Sequence, residues 1–345
     1  MALYRFDDLL LEVQPDAASE RARLPSLLSE LSWTVMAPES DDRCNRLSLR
    51  LHAAAATVPA SAHQTLSTSS FSGYQLEDLF YLTDNASVLR LDIARGEAEA
   101  YLAGSFVDKP LIEQYTFWAF AVAKLLRTRS RYVLHAASLA SPERNLNVLV
   151  NGPSGSGKST LTLAALRHGW RYASDDAVVL RMAEGEATDP ELRRRTTSVL
   201  ARGVRSHCYV DADAAPRHAE FTLGAHVPDT SGGSRRRVVL AGLPSARRLD
   251  ACTPRLLLFP RIVDAARSEF VPLDRVTSFS RLLDASCDQL WDRRTMTKHT
   301  STVGALVQQA PGYELQAGRD VLHDAADLFR HLYALASDEE RCVAS

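Results

Sequence analysis

Cysteine is scarce and scattered. The 345 residues hold five, Cys44, Cys208, Cys252, Cys287 and Cys342, never spaced as CxxC. An odd, dispersed set excludes a disulfide framework and a zinc site, and it predicts a reducing compartment. A secretory leader is not expected either: MALYRFDDLLLEV carries an acidic pair where a signal peptide has a basic one. The longest apolar stretch, near Tyr115 to Leu126, is too short to span a bilayer. Neither sign of charge prevails. The formal net charge of -2 gives no global drive toward nucleic acid or membrane. No internal repeat is visible. Together these absences predict a soluble, cytoplasmic protein with no nucleic-acid or membrane partner.

What is present is enough apolar sequence, 46 % of the chain, for two domains or one large one with an extension. The densest signal lies at 147–169, NVLVNGPSGSGKSTLTLAALRHG. Val148, Leu149 and Val150 suit a buried parallel strand. Gly152-Pro153-Ser154-Gly155-Ser156-Gly157-Lys158-Ser159 fits the phosphate-binding pattern GxxxxGKS/T in full. Chance would produce that match in roughly one chain of this length in a hundred. Thr160 to His168 reads as a helix rich in Leu and Ala, and Gly169 stands where a left-handed C-cap belongs.

The spacing answers a chemical need. A triphosphate requires many donors at short range. Glycines let the backbone curl so that successive N–H groups face the phosphates, and the new helix adds the positive end of its dipole. Lys158 supplies a cation to the terminal phosphates. The Ser159 hydroxyl suits Mg²⁺, which takes octahedral oxygen ligands and shares them with the nucleotide. ATP and Mg²⁺ are therefore the expected cofactors. The expected binding set is Gly152, Pro153, Ser154, Gly155, Ser156, Gly157, Lys158, Ser159 and Thr160.

Around this motif, residues 1–105 read as a small α/β recognition domain, and 106–345 as the domain carrying the phosphate loop. Arg46 to His52 alternates like a strand, Ala54 to Ser72 reads as a loop, and Ser87 to Leu102 as a hairpin turning at Arg95-Gly96-Glu97. Leu111 to Arg127 predicts a largely buried helix after Pro110. Tyr132 to Leu139 and Leu146 to Val150 read as strands, with a turn at Pro142 to Asn145. Trp170 to Arg181 reads as one strand with two acids in its middle. Residues 191–261 look loop-rich and carry 13 arginines, densest at Arg193–Arg195 and Arg235–Arg237. Each run is a solvated face or an anion-recognising lip. Leu256 to Ile262 reads as a buried strand, and Val276 to Ser286 and Gly318 to Ala336 as helices. His207, Cys208, His218 and His226 lack metal-ligand spacing and read as surface residues.

Asp175 and Asp176 follow Lys158 by 17 and 18 residues. A strand–loop–helix–strand unit returns the chain to the phosphate side of the sheet, so both acids are catalytic candidates. One would hold Mg²⁺ with Ser159, and the other would accept the proton of an attacking hydroxyl. The bland alternative is a solvated turn capped by Ser174. His135, after Tyr132-Val133-Leu134, would reach one of the acids if its strand is a neighbour; otherwise it is a core histidine. Arg237, ahead of an apolar Val238-Val239-Leu240 strand and behind a Ser231-Gly232-Gly233 hinge, is the candidate to complete the charge around the transferring group.

The set LHAA, GPSGSGKST and GWRYASDD resembles the HPr kinase/phosphorylase family and its wider group, which share a core with phosphoenolpyruvate carboxykinases. The likeness covers about residues 130–182 well. It implies an α/β fold with a mixed sheet around the phosphate loop and ATP-dependent phosphorylation of a serine hydroxyl. On that likeness Lys158 and Ser159 are the phosphate and Mg²⁺ contacts, His135 the active-site histidine, Asp176 the proton acceptor and Asp175 its support. Where the family carries an acid in a Leu-Glu-Ile-Arg-Gly-like run, this chain has Val199-Leu200-Ala201-Arg202-Gly203, with Leu200 at the acid's place. The later Pro-Gly-Arg-Asn-like segment is absent, with Arg235 to Arg237 a loose substitute. Related kinases of peptide natural-product pathways phosphorylate a serine of a small peptide, and the divergent flanks suit that acceptor at least as well as HPr.

A protein or peptide acceptor bearing a serine is thus the leading expectation, with a homo-oligomer left open. A kinase of a small hydroxylated metabolite and a nucleotide-gated binding or ATPase module stand beside it. Residues 230–259, TSGGSRRRVVLAGLPSARRLDACTPRLLLF, imitate a transporter-type ATPase signature. The following strand lacks that family's Asp-Glu ending, since Pro260 and Arg261 stand there.

Overall fold

The computed structural model describes residues 1–14, 24–36, 45–142, 146–183, 198–204, 208–211, 221, 223–228, 234–238, 248–286 and 293–344. The chain divides into two units, residues 1–132 with 287–299, and residues 133–286 with 300–345. The helix at Leu111–Thr128, which the sequence reading set beyond residue 105, falls within the first.

The first unit is built on strands β1 (Ala2–Phe6), β2 (Leu9–Gln14), β3 (Thr34–Met36), β4 (Arg46–His52), β5 (His63–Ser67), β6 (Ser72–Leu76), β7 (Leu79–Thr83), β8 (Val88–Asp92) and β9 (Glu97–Tyr101). Helices α1 (Leu24–Glu30) and α2 (Leu111–Thr128) complete it. The strands form one mixed sheet in the order β3-β1-β2-β4-β9-β8-β7-β6-β5, parallel only where β4 meets β2 and β9. The predicted hairpin is β8 and β9, in antiparallel register. Part of the predicted loop at 54–72 is strand: β5 pairs with β6 through its backbone. Four of its five side chains are exposed, so β5 has no apolar alternation to read. Helix α2 buries Phe117 and Trp118, which meet Phe106 edge-on at 5.2 and 5.9 Å.

The second unit carries the phosphate loop. In chain order the remaining elements are β10 (Tyr132–Leu134), β11 (Ala136–Ala140), β12 (Asn147–Asn151), α3 (Lys158–Arg167), β13 (Arg171–Ser174), β14 (Val178–Ala183), β15 (Ser198–Gly203), β16 (Cys208–Asp211), β17 (Leu223–Pro228), β18 (Ser234–Val238), β19 (Ala251–Cys252), β20 (Leu256–Ile262), β21 (Glu269–Leu273), α4 (Arg275–Asp284), α5 (Arg293–Gln309), whose residues 293–299 fall in the first unit, β22 (Gly312–Ala317), α6 (Asp320–His323) and α7 (Ala326–Ala344). A six-stranded mixed sheet runs β13-β11-β12-β20-β22-β21. Smaller sheets run β10-β14-β15-β19 and β16-β18-β17. The fold is thus mixed α/β.

Strand β12 lies at the centre, antiparallel to β11 and parallel to β20. That explains its unbroken apolar run: Val148, Leu149 and Val150 are at most 1 % exposed, because both faces of the strand are covered. Helix α3 packs Leu161, Ala164 and Ala165 into the same core as Leu256, Leu258 and Phe329. Gly169 ends it with φ 81°, in the left-handed region where a Cβ would be strained.

Several predicted elements differ. The strand expected over 170–181 is two strands in different sheets, broken at Asp175-Asp176. The strand expected over 132–139 likewise breaks at His135. The helix expected over 318–336 is α6 and α7, because Asp324 leaves helical geometry and its carboxylate accepts from the Ala326 N–H at 3.1 Å. Helix α5 escaped notice because Thr295, Thr297, Thr300 and Thr302, all poor helix formers, interrupt its first turns. Burial of Val303, Leu306 and Val307 holds it instead. The expected buried strand at Leu256 to Ile262 is β20, but the region before it, read as loop-rich, also contains β15 to β19. Arg235, Arg236 and Arg237 lie inside β18, with Arg237 opposite Tyr209 on β16, and not ahead of the strand. Their side chains fall outside the described residues, as do Arg193–Arg195, His207, His218 and the 231–233 hinge.

Candidate active site

Strand β12 ends at Asn151 and the chain turns at once into the glycine-rich loop. Gly155 and Gly157 have φ of 80° and 98°, a backbone that only glycine takes without strain. A Cβ on Gly152 would stand 2.7 Å from the Ser156 hydroxyl, so a larger residue there would force that side chain to turn away. Pro153, Ser154 and Gly155 are exposed, whereas Ser156 and Lys158 are buried. The Lys158 ammonium is folded back onto its own loop, donating to the carbonyls of Gly152 at 2.7 Å and Pro153 at 3.0 Å. Ser159 and Thr160 follow in the first turn of α3.

The acids stand in the bend between β13 and β14. The Ser174 hydroxyl donates to the Ala177 carbonyl at 2.6 Å and ties the bend shut. Asp175 turns inward, 3 % exposed, and its Oδ2 accepts from the Ser159 hydroxyl at 2.8 Å. Its Oδ1 is buried with no hydrogen-bond partner. The Thr162 hydroxyl stands close by without forming a bond of good geometry. Burial first, then the charge of Asp176, push Asp175 up to about 6; Ser159, Thr162 and Lys158 oppose the shift.

Asp176 turns the other way. Its Oδ1 lies 3.0 Å from Nδ1 of His135, and both side chains are about one-third exposed, 29 % and 33 %. A carboxylate only accepts, so Nδ1 is the protonated nitrogen of the pair. The break between β10 and β11 fixes the histidine. Its N–H donates to the Ala285 carbonyl at 2.9 Å, and its carbonyl accepts from the Asn151 amide at 3.0 Å.

The loop, Ser159, Asp175, Asp176 and His135 therefore converge, and the solvated-turn reading fails for Asp175, which is buried. The expectation that the acids sit in the middle of one strand is corrected: they stand in a bend, and their side chains diverge because the bend turns between them. Two participants carried no motif. Asn151 is fully buried with an unpartnered Oδ1 and anchors His135 from the strand end. Cys208, expected at the surface, is completely buried; burial and then the charge of Asp175 push its thiol well up. The residue beside the loop at a strand end was the available signal for Asn151; Cys208 had none.

The acidic place expected at Leu200 falls on β15, which pairs along β14 and with β19. The same strand comes so close to β13 that a Cβ on Gly203 would strike the Ala173 carbonyl. Among the described residues no helix is long and apolar enough to cross a membrane, and no group of three or more His, Cys, Asp or Glu could hold a metal ion.

No protein-family model matches the chain, and no curated protein matches it. Among solved structures, the Hpr(Ser) kinase/phosphatase from Coxiella burnetii is similar at 13 % identity, over 61 % of this chain and 98 % of that one, with a TM-score of 0.29. With similarity that low, function has to be read from this chain's own residues.

Proposed function

We infer that the protein is an ATP-dependent phosphotransferase that moves the γ-phosphoryl group to a serine hydroxyl of a protein or peptide. One observation carries the reading. A single bend beside a complete phosphate-binding loop sends one carboxylate to the loop serine and the next to a histidine.

The donors suit Mg²⁺ shared with a nucleotide. A hydroxyl and one carboxylate with a spare oxygen supply the protein's part, and Mg²⁺ ordinarily draws its other ligands from phosphates and water. Bound there by Ser159 and Asp175, Mg²⁺ would neutralise charge on the phosphate oxygens. Lys158 would leave the carbonyls of Gly152 and Pro153 for the terminal phosphates. Backbone N–H groups from Gly152 to Thr160 would cradle the rest. Asp176 would take the proton of the serine hydroxyl as its oxygen bonds to the γ-phosphorus and the bond to the bridging oxygen breaks, releasing ADP. His135 holds that carboxylate in place. Arg237 is proposed to complete the charge on the transferring group.

Incubation with labelled ATP and a panel of short serine peptides tests this. Mg²⁺-dependent label on a peptide supports it. Label on a small alcohol alone, or steady hydrolysis with every acceptor, overturns it in favour of a metabolite kinase or a nucleotide-gated ATPase.

A further inference from the structure

At the ends of β12 and β13 remote from the phosphate loop lies a cleft of about 460 Å³. That volume falls within the range of small-molecule sites. Arg171 opens β13 and Arg255 stands just ahead of β20, and both line the cleft. Asn147 and Thr253 add polar edges, and Leu200 and Leu249 an apolar wall. No Asp or Glu is among the described residues that line it.

The wall is fixed by backbone. The Arg255 N–H donates to the Asn147 carbonyl at 2.8 Å, and the Leu249 N–H to the Tyr172 carbonyl at 2.8 Å. The Asn147 amide donates to the Thr253 carbonyl at 3.0 Å. Within this frame Nε of Arg171 is buried and has no hydrogen-bond partner. A buried guanidinium N–H left unmade is costly, and an oxyanion is the group that satisfies it best, often through two parallel bonds. Two cations with no Asp or Glu among the described lining residues, beside leucines and with the Arg171 Nε–H unpartnered, favour an organic anion over a cation or a neutral polar ligand.

We propose that this cleft is a binding site for a small organic anion, a carboxylate or a phosphate ester with a short apolar body. It is separate from the phosphate loop. Four residue steps along β13, about 13 Å, lie between Arg171 and Asp175. A ligand seated there is therefore not the phosphoryl acceptor. The site stands independently of the phosphotransferase reading.

Isothermal titration of the full chain tests it, in a Lys158→Ala background that weakens anion binding at the loop. One arm uses inorganic phosphate and the other succinate. Saturable binding of either supports the site, and the arm that binds assigns phosphate or carboxylate chemistry. Arg171→Ala and Arg255→Ala should each weaken it by about tenfold or more, the worth of one charge-assisted hydrogen bond, with partial rescue in Arg171→Lys. Arg255 is exposed, so its replacement leaves the core intact and the test readable even if Arg171→Ala does not fold. No saturable binding of either anion, or unchanged affinity in Arg255→Ala, overturns the proposal.

Discussion

Asp175 and Asp176 are consecutive, yet their carboxylates serve different partners: Asp175 accepts from Ser159 at 2.8 Å, and Asp176 faces His135 at 3.0 Å. The difference in burial sets the division. Asp175 is sealed in, with one oxygen unpartnered, a position that suits a metal ligand. Asp176 is partly open and held by an imidazole, where an incoming hydroxyl can reach it.

Asp176→Asn should bind ATP as the wild type does and lose roughly 10²–10⁴-fold in transfer rate, the usual scale for a general base. Single-turnover kinetics beside nucleotide titration separates the two quantities. A wild-type rate would leave Asp176 with no chemical part.

Asp175 gives the protein a pH signature. Its folded-state value, raised to about 6, exceeds the unfolded value near 4. The folded state thus holds the extra proton between those values. Without Mg²⁺, stability from this group is full below about pH 4 and is lost as pH rises through about 6, on the order of 2–3 kcal/mol. Chemical denaturation across that window should show the fall in the wild type and not in Asp175→Asn. Mg²⁺–ATP affinity should move oppositely, strengthening as pH rises through about 6, because the metal needs the charged carboxylate. A variant with the wild-type pH profile would contradict this.

Lys158→Ala should abolish phosphoryl transfer and weaken nucleotide binding while the cooperative unfolding transition is retained, since the ammonium binds loop carbonyls. Calorimetry with ATP and a thermal melt read both. Retained affinity would remove the loop from the account.

Gly203→Ala should cost about 1–3 kcal/mol of stability, the scale of overpacking. The added methyl meets the Ala173 backbone, which cannot swing aside as a side chain can. Ala173 lies two residues before Asp175, so transfer should fall with stability. An unchanged melting temperature would show that β15 yields freely.

Much of this site was legible because phosphate binding dictates backbone as well as side chain. Gly155, Gly157 and Lys158 have to recur at fixed spacing, and β12 has to be apolar on both faces. The acid pair was legible by its distance from the loop, but the bend was not. Ala173-Ser174-Asp175-Asp176-Ala177-Val178 has strand-like flanks, and the Ser174 hydroxyl bond to Ala177 that ties the turn leaves no sequence pattern. Helix α5 and strand β5 were hidden for other reasons: the apolar spacing of α5 at Val303, Leu306 and Val307 covers only its second half, and β5 is held by backbone pairing, which leaves no apolar alternation. The cleft at Arg171 and Arg255 joins residues 84 apart, and no local pattern announces it.

Phosphorus NMR of ATP, Mg²⁺ and a serine-bearing peptide with the protein tests the central claim most directly, because it resolves donor, product and by-product in one spectrum. Transfer predicts a new phosphomonoester resonance growing in step with ADP, lost in Asp176→Asn. Inorganic phosphate growing in step with ADP, or an unchanged ATP spectrum with every peptide, would contradict it.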